Sequence, residues 1–158
     1  MEQLREGMPC PAFELPEASG ATVSLDDLRG RPFVLYFYPK DDTSGCTVEA
    51  KDFSGSEAEF AAIGVPVLGV SPDGVKSHAK FAAKHDLTIR LLADEEKALI
   101  GALGLWVEKS MYGRTYMGVE RTTILFDADA RARRIWPKVK VAGHADEVLA
   151  AAKAVAAG

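Results

Sequence analysis

Residues 32–38, Pro-Phe-Val-Leu-Tyr-Phe-Tyr, are an almost unbroken run of aromatic and β-branched side chains. A strand with one wet face alternates apolar and polar residues, so a strand apolar at nearly every position is buried on both faces. Whatever this chain folds into must therefore cover a central strand from two sides.

The flanking segments provide that cover. After a polar loop, residues 46–62 place Val48, Ala50, Phe53, Ala58, Phe60 and Ala61 at helix-compatible spacing, despite Gly55 near the middle. The alternation goes on with a strand at 65–70, a helix at 75–84, a short strand at 90–92 and a helix at 95–102. The C-terminal part reads as a strand at 122–126, a turn at 127–130, a returning strand at 131–136 and a helix from His144. Upstream, residues 12–15 and 21–24 form a small hairpin around a turn at 17–20, and Ser24 caps a brief helical turn that Gly30 ends. Two β-α-β runs followed by β-β-α give an α/β fold: a mixed central sheet with helices on both faces and an N-terminal β-hairpin extension. This is the element order of a thioredoxin-like fold, in one domain over residues 1–158.

Bulk properties exclude several classes. Apolar residues make up 47% of the chain and charged residues 27%, an ordinary globular profile. The net charge is −4 and no block of five like charges occurs, so no nucleic-acid partner is expected. The basic stretch 131–140 alternates with apolar residues, as a solvated strand face does. The N-terminus carries Glu2, Arg5 and Glu6 without an apolar core, and the longest uncharged stretch, 60–72, falls short of the ~20 residues a membrane span requires. A cytoplasmic protein without a membrane segment is expected. With only Cys10 and Cys46, the chain lacks a disulfide framework, and both residues should rest as thiols. His78, His85 and His144 fall on separate helices or their ends, without ligand spacing to either cysteine, so no metal is expected. No flavin or nicotinamide fingerprint appears, so no cofactor is expected either.

Cys46 follows the polar loop Lys40-Asp41-Asp42-Thr43-Ser44-Gly45 where that loop meets a helix. Unpaired backbone N–H groups and the helix dipole favour a thiolate there. A cysteine used only for packing needs no such surroundings. Thr43 is a candidate cap, three residues upstream and within reach of a sulfur at the helix start.

Pro39, Thr43 and Cys46 match the pattern Pro-x-x-x-Thr-x-x-Cys directly after the central strand, within YFYPKDDTSGCTVEA. That text resembles the active site of the peroxiredoxins, in particular the peroxiredoxin Q (bacterioferritin comigratory protein) branch. LLADEEKALIGALGLW, KSMYGRTYMG, RTTILFD and WPKVKVAGHADEVL resemble the same branch in the same order, so the likeness covers nearly the whole chain. It implies a thiol-dependent peroxidase that reduces hydrogen peroxide and organic hydroperoxides. Cys46 would be the nucleophile and become a sulfenic acid. Thr43 would hydrogen-bond the thiolate and the peroxide, Arg121 would stabilise developing negative charge, and Pro39 would shield the pocket from water. Backbone N–H groups around Gly45 and Cys46 would add donors. Glu49, on the helix face of Cys46, could hold Arg121 or be a solvated acid of the helix start. Arg114 is a competing basic candidate, and Tyr38 and Trp106 could wall the pocket but are read as core aromatics, the commoner place for such residues.

Many members of that branch carry a second cysteine five residues after the first, where this chain has Lys51, or on the following helix, where residues 75–87 contain none. Cys10, between Pro9 and Pro11, is the remaining candidate to resolve the sulfenic acid, and the prolines limit its travel. The expectation is a one-cysteine mechanism recycled by thioredoxin or another small thiol, in a monomer or dimer. The rival readings are a thioredoxin-fold redox sensor or binding protein without fast turnover, and a cysteine hydrolase. The hydrolase needs a histidine base that nothing places beside Cys46.

Overall fold

The computed structural model describes residues 4–158, so Glu2 of the charged N-terminus lies outside the described residues. The elements run β1 (Glu14–Pro16), β2 (Thr22–Ser24), α1 (Leu25–Leu28), β3 (Phe33–Phe37), α2 (Ser44–Gly55), α3 (Glu57–Ala62), β4 (Val67–Ser71), α4 (Val75–His85), β5 (Arg90–Ala93), α5 (Ala98–Ala102), β6 (Trp106–Met111), β7 (Arg114–Val119), β8 (Thr122–Phe126), β9 (Ala132–Trp136) and α6 (His144–Ala157). The central sheet has five strands in the order β5-β4-β3-β8-β9. β3, β4 and β5 are mutually parallel, whereas β8 is antiparallel to both β3 and β9. No helix among the described residues is long and apolar enough to cross a membrane.

Every residue of β3 is buried, and its alternation divides the core in two. Phe33, Leu35 and Phe37 point into a cluster closed by Leu15 and Val23 of the N-terminal hairpin, Leu25 and Leu28 of α1, and Leu99 and Ile100 of α5. Val34, Tyr36 and Tyr38 point the other way, against Phe53 of α2, Phe60 of α3, Phe81 of α4 and Val148 of α6. The hydrophobic run therefore has the two covering layers that its composition demands.

Several local expectations hold for identifiable reasons. Ser24 accepts from the Asp27 backbone N–H while its own N–H donates to Asp27 Oδ2, a reciprocal capping box at the start of α1. Others need correction. The helix expected over 46–62 starts at Ser44 and breaks at Ser56 (φ −98°, ψ 0°), directly after Gly55, so α2 and α3 are separate. The helix expected from Glu95 starts at Ala98, because Asp94 accepts the Ile100 N–H across the intervening turn.

The largest omission is the β6–β7 hairpin, which sequence reading leaves as loop. Its turn residues Tyr112 and Gly113 both have positive φ (53° and 77°), as a two-residue hairpin turn with matching twist requires. The strands carry Glu108, Lys109, Ser110, Arg114 and Thr115 with few buried positions, so they show no period-two apolar signal.

Candidate active site

The topology converges on one edge of the sheet. β3, β4 and β5 are parallel and so end at the same edge, where ligands of open α/β sheets collect. β8 runs the other way, and Thr122 at its start pairs with Phe37 at the end of β3. Arg121 is thereby delivered next to the loop that leaves β3, although 75 residues separate it from Cys46 in the chain. Its backbone is fixed by the Val139 N–H, which donates to the Arg121 carbonyl at 2.9 Å.

Cys46 lies in the first turn of α2 and is buried. The Thr47 N–H reaches back to the Thr43 carbonyl at 2.8 Å, so the Gly45 and Cys46 N–H groups belong to the first turn, which the helix leaves unpaired. Arg121 bridges two acidic groups: Nη2 donates to Cys46 Sγ at 3.2 Å and Nη1 to Glu49 Oε1 at 2.6 Å. Gly45 makes room for it, since a Cβ at that position would stand 3.2 Å from Arg121 Nη2. Arg114, the competing basic candidate, is exposed on β7 opposite Met111.

Glu49 is 1% exposed, so the solvated-acid reading of this residue is excluded. Burial pushes its carboxyl from 4.5 up to about 7, and the opposing pull of the partly exposed Arg121 does not cancel that effect. Glu49 Oε2 and the Tyr36 hydroxyl are buried side-chain oxygens without hydrogen-bond partners among the described residues. Burial, followed by the charges of Glu49 and Cys46, raises the Tyr36 phenol well above its usual value.

Thr43 occupies the N-cap position of α2 but makes no side-chain cap hydrogen bond. Its hydroxyl donates instead to the Lys40 carbonyl at 2.8 Å, so its single proton is not directed at the sulfur. Pro39 is half-buried at the start of the loop. Tyr38 is a core aromatic as expected, while Trp106 is only partly buried, beneath the Lys97 ammonium.

Cys10 lies on the opposite face of the sheet from Cys46: it packs with Phe33, Leu35 and Phe37, whereas Cys46 packs with Val34, Tyr36 and Tyr38. Its segment is anchored along β9, with the Cys10 N–H on the Ala130 carbonyl and the Ala132 N–H on the Met8 carbonyl. Burial pushes its thiol up to about 12. Both cysteines are free thiols.

The model of the AhpC/TSA family matches residues 7–135. The chain is a peroxiredoxin. Peroxiredoxin Bcp of Bacillus subtilis is 46% identical over 143 residues, 90% of this chain and 91% of that protein. The structure of Xanthomonas campestris peroxiredoxin Q superposes with a TM-score of 0.86 at 45% identity, covering 91% of each chain. A Xylella fastidiosa peroxiredoxin Q structure reaches 0.91 at 37% identity over 98% of each chain. Trapped-intermediate and ligand complexes bearing on alkyl peroxide reduction are known for the Xanthomonas campestris bacterioferritin comigratory protein, 44% identical over 91% of this chain and 92% of that one. The thioredoxin-like architecture and the peroxiredoxin Q branch read from the sequence are thus those of this peroxiredoxin.

Sequence reasoning missed three residues near the site. Asp41 and His78 meet behind the active-site loop, and Lys109 of β6 lies close enough to Arg121 for that charge, after burial, to hold its ammonium below the usual value. Asp41, Asp73 and His78 offer ligand atoms within 4.8 Å of one another, a grouping invisible in the spacing of the histidines. Those atoms are engaged in hydrogen bonds with one another and with neighbouring hydroxyls.

Proposed function

We propose that the chain, acting as one thioredoxin-like domain, is a cytoplasmic thiol-dependent peroxidase that reduces hydrogen peroxide and organic hydroperoxides at Cys46. The observation that carries this reading is the shared guanidinium, with Arg121 on both Cys46 Sγ and Glu49 Oε1. An arginine does not act as a base, so the arrangement suits a sulfur that is already a thiolate rather than a hydrolase nucleophile awaiting deprotonation.

In the first step the Cys46 thiolate attacks the terminal oxygen of the hydroperoxide. The S–O bond forms, the O–O bond breaks, and the departing oxygen leaves as an alcohol, or as water from hydrogen peroxide, once protonated. The sulfur is oxidised to a sulfenic acid. Arg121 and the first-turn N–H groups stabilise the negative charge as it moves from sulfur to the departing oxygen. Thr43, whose proton lies on the Lys40 carbonyl, meets the hydroperoxide with its oxygen lone pairs as an acceptor. Pro39 shields the mouth. An external thiol, supplied by thioredoxin or a small-molecule thiol, then forms a mixed disulfide with Cys46 and releases water, and a second thiol frees the enzyme. The separation of Cys10 and Cys46 by the sheet supports this one-cysteine cycle.

The test uses one equivalent of peroxide with the reduced protein. Stopped-flow oxidation should be far faster than that of ordinary low-pKa thiols, which separates a peroxidase from a redox sensor. A sulfenic-acid trap should then label Cys46 while Cys10 still alkylates. A Cys10–Cys46 disulfide in the mass spectrum would overturn the one-cysteine cycle.

A further inference from the structure

Behind the loop that delivers Cys46 lies a buried polar network that the chemistry above leaves unused. One Asp41 oxygen accepts from the Tyr38 hydroxyl at 2.6 Å. The other accepts from the Ser77 hydroxyl at 2.7 Å and faces His78 Nδ1 at 2.7 Å. The Asp41 N–H donates to Asp73 Oδ2 at 2.8 Å, and Ser71 Oγ donates to the same oxygen at 2.7 Å. His78 is fully buried, with Nε2 2.9 Å from the Leu92 carbonyl.

The donor count fixes the protons. A carbonyl only accepts, so His78 Nε2 carries a hydrogen. On the far side of the ring, Nδ1 faces a carboxylate oxygen, and two bare lone pairs would repel at 2.7 Å between two buried side chains. A proton must therefore lie between them. The pair is neutral as a whole, either imidazolium with carboxylate or imidazole with carboxylic acid, which is the condition for burying both groups.

The network joins four parts of the fold. Tyr38 follows β3, Asp73 follows β4, Ser77 and His78 belong to the first turns of α4, and Leu92 lies in β5. Tyr38, Asp73, Ser77 and His78 converge on Asp41, five residues before Cys46, and Leu92 holds the far side of His78. Asp42 adds an exposed tie to α4 through Lys84 at 2.7 Å and His85 at 2.9 Å. Where the loop sits determines where α2 begins, and with it the alignment of the first-turn N–H groups and of Sγ against Arg121.

We propose that Asp41 and His78 are positioning residues of the peroxidase reaction: their shared-proton pair clamps loop 40–45 against α4 and the sheet edge and so sets the attack geometry at Cys46. This rests on the peroxidase reading above.

The experiment compares two second-order rates in wild type, Asp41→Asn, His78→Leu, His78→Asn and Tyr38→Phe. One is the oxidation of Cys46 by hydrogen peroxide, which needs aligned donors. The other is its alkylation by iodoacetamide, which needs only an accessible thiolate. In Asp41→Asn and His78→Leu the peroxide rate should fall about tenfold to a hundredfold while alkylation changes by no more than about threefold. His78→Asn, whose amide can donate to Asp41 from near the Nδ1 position, should recover part of the loss. NMR of the wild type should show a slowly exchanging downfield proton in the His78–Asp41 bond that vanishes in Asp41→Asn. Peroxide and alkylation rates that fall together, folded variants with unchanged peroxide rates, or absence of that proton would each overturn the inference. If the two network variants do not fold, Tyr38→Phe decides, because it removes one hydroxyl, and an unchanged rate ratio there overturns it too. A wild type that reacts slowly with peroxide would instead sink the peroxidase reading.

Discussion

The two cysteines are the same residue in two similarly buried places, 5% and 1% exposed, yet their surroundings prepare them for opposite fates. Cys10 sits in an apolar layer; its Sγ donates to the Pro11 carbonyl at 3.5 Å, and burial drives the thiol up to about 12. Cys46 sits in the first turn of a helix with a guanidinium 3.2 Å from its sulfur. Burial alone makes a thiol inert, whereas a sulfur beside hydrogen-bond donors has the surroundings a nucleophile needs, the role proposed for Cys46. The difference lies in the neighbours, and the neighbours come from opposite faces of one sheet.

The largest expected effect tests this directly. Cys46→Ser should abolish peroxide reduction, while Cys10→Ser should leave the peroxide rate within about twofold, because the altered thiol lies across the sheet. Steady-state peroxide consumption with excess thiol measures both, and a large activity loss in folded Cys10→Ser would break the contrast. Next, Arg121→Ala should slow single-turnover oxidation of Cys46 by about a hundredfold or more, the scale for removing one charge-stabilising donor from a site. An unchanged stopped-flow rate would leave the helix start as the sole cause of reactivity.

Thr43→Val, which keeps shape but loses the hydroxyl, should slow peroxide attack by about tens-fold, equivalent to ~2 kcal/mol. An effect on thermal stability with none on rate would reduce Thr43 to a tie to Lys40.

Smallest is an effect on stability through Glu49. Burial raises its carboxyl from 4.5 to about 7, so the native state retains a proton there that the unfolded chain has already released between those values. Its contribution to stability is full below about pH 4.5 and is lost as the pH rises through about 7, by up to about 3 kcal/mol. Glu49→Gln cannot release that proton. The melting temperature of the variant relative to wild type should therefore rise between pH 5 and pH 8, and a difference that is flat with pH would mean that Arg121 keeps Glu49 charged throughout.

Much of this was legible in the chain. The apolar run ending at Tyr38 demanded a two-sided sheet because seven consecutive residues cannot alternate away from a core on either side. Ser24 announced the cap of a short helical turn, since a cap closes within one turn. Cys46 could be singled out because the loop-to-helix junction and the Pro39–Thr43–Cys46 spacing are local. The β6–β7 hairpin stayed hidden, because its solvated strands have no hydrophobic period to read, and the break at Ser56 was masked by apolar residues that continue on either side.

By itself, then, the sequence determined the layered α/β class and the family and singled out Cys46 as the candidate nucleophile, all of which rest on residues that are neighbours along the chain. Tertiary structure decided what surrounds that nucleophile. It placed Arg121 rather than Arg114 on Cys46, buried Glu49 instead of solvating it, turned the Thr43 hydroxyl to Lys40, set Cys10 on the opposite face of the sheet and brought Asp41 to His78. Each of those outcomes except the Thr43 contact depends on strand order and on which face a residue takes in the sheet. Strand order is a property of the assembled sheet, and no local spacing encodes it.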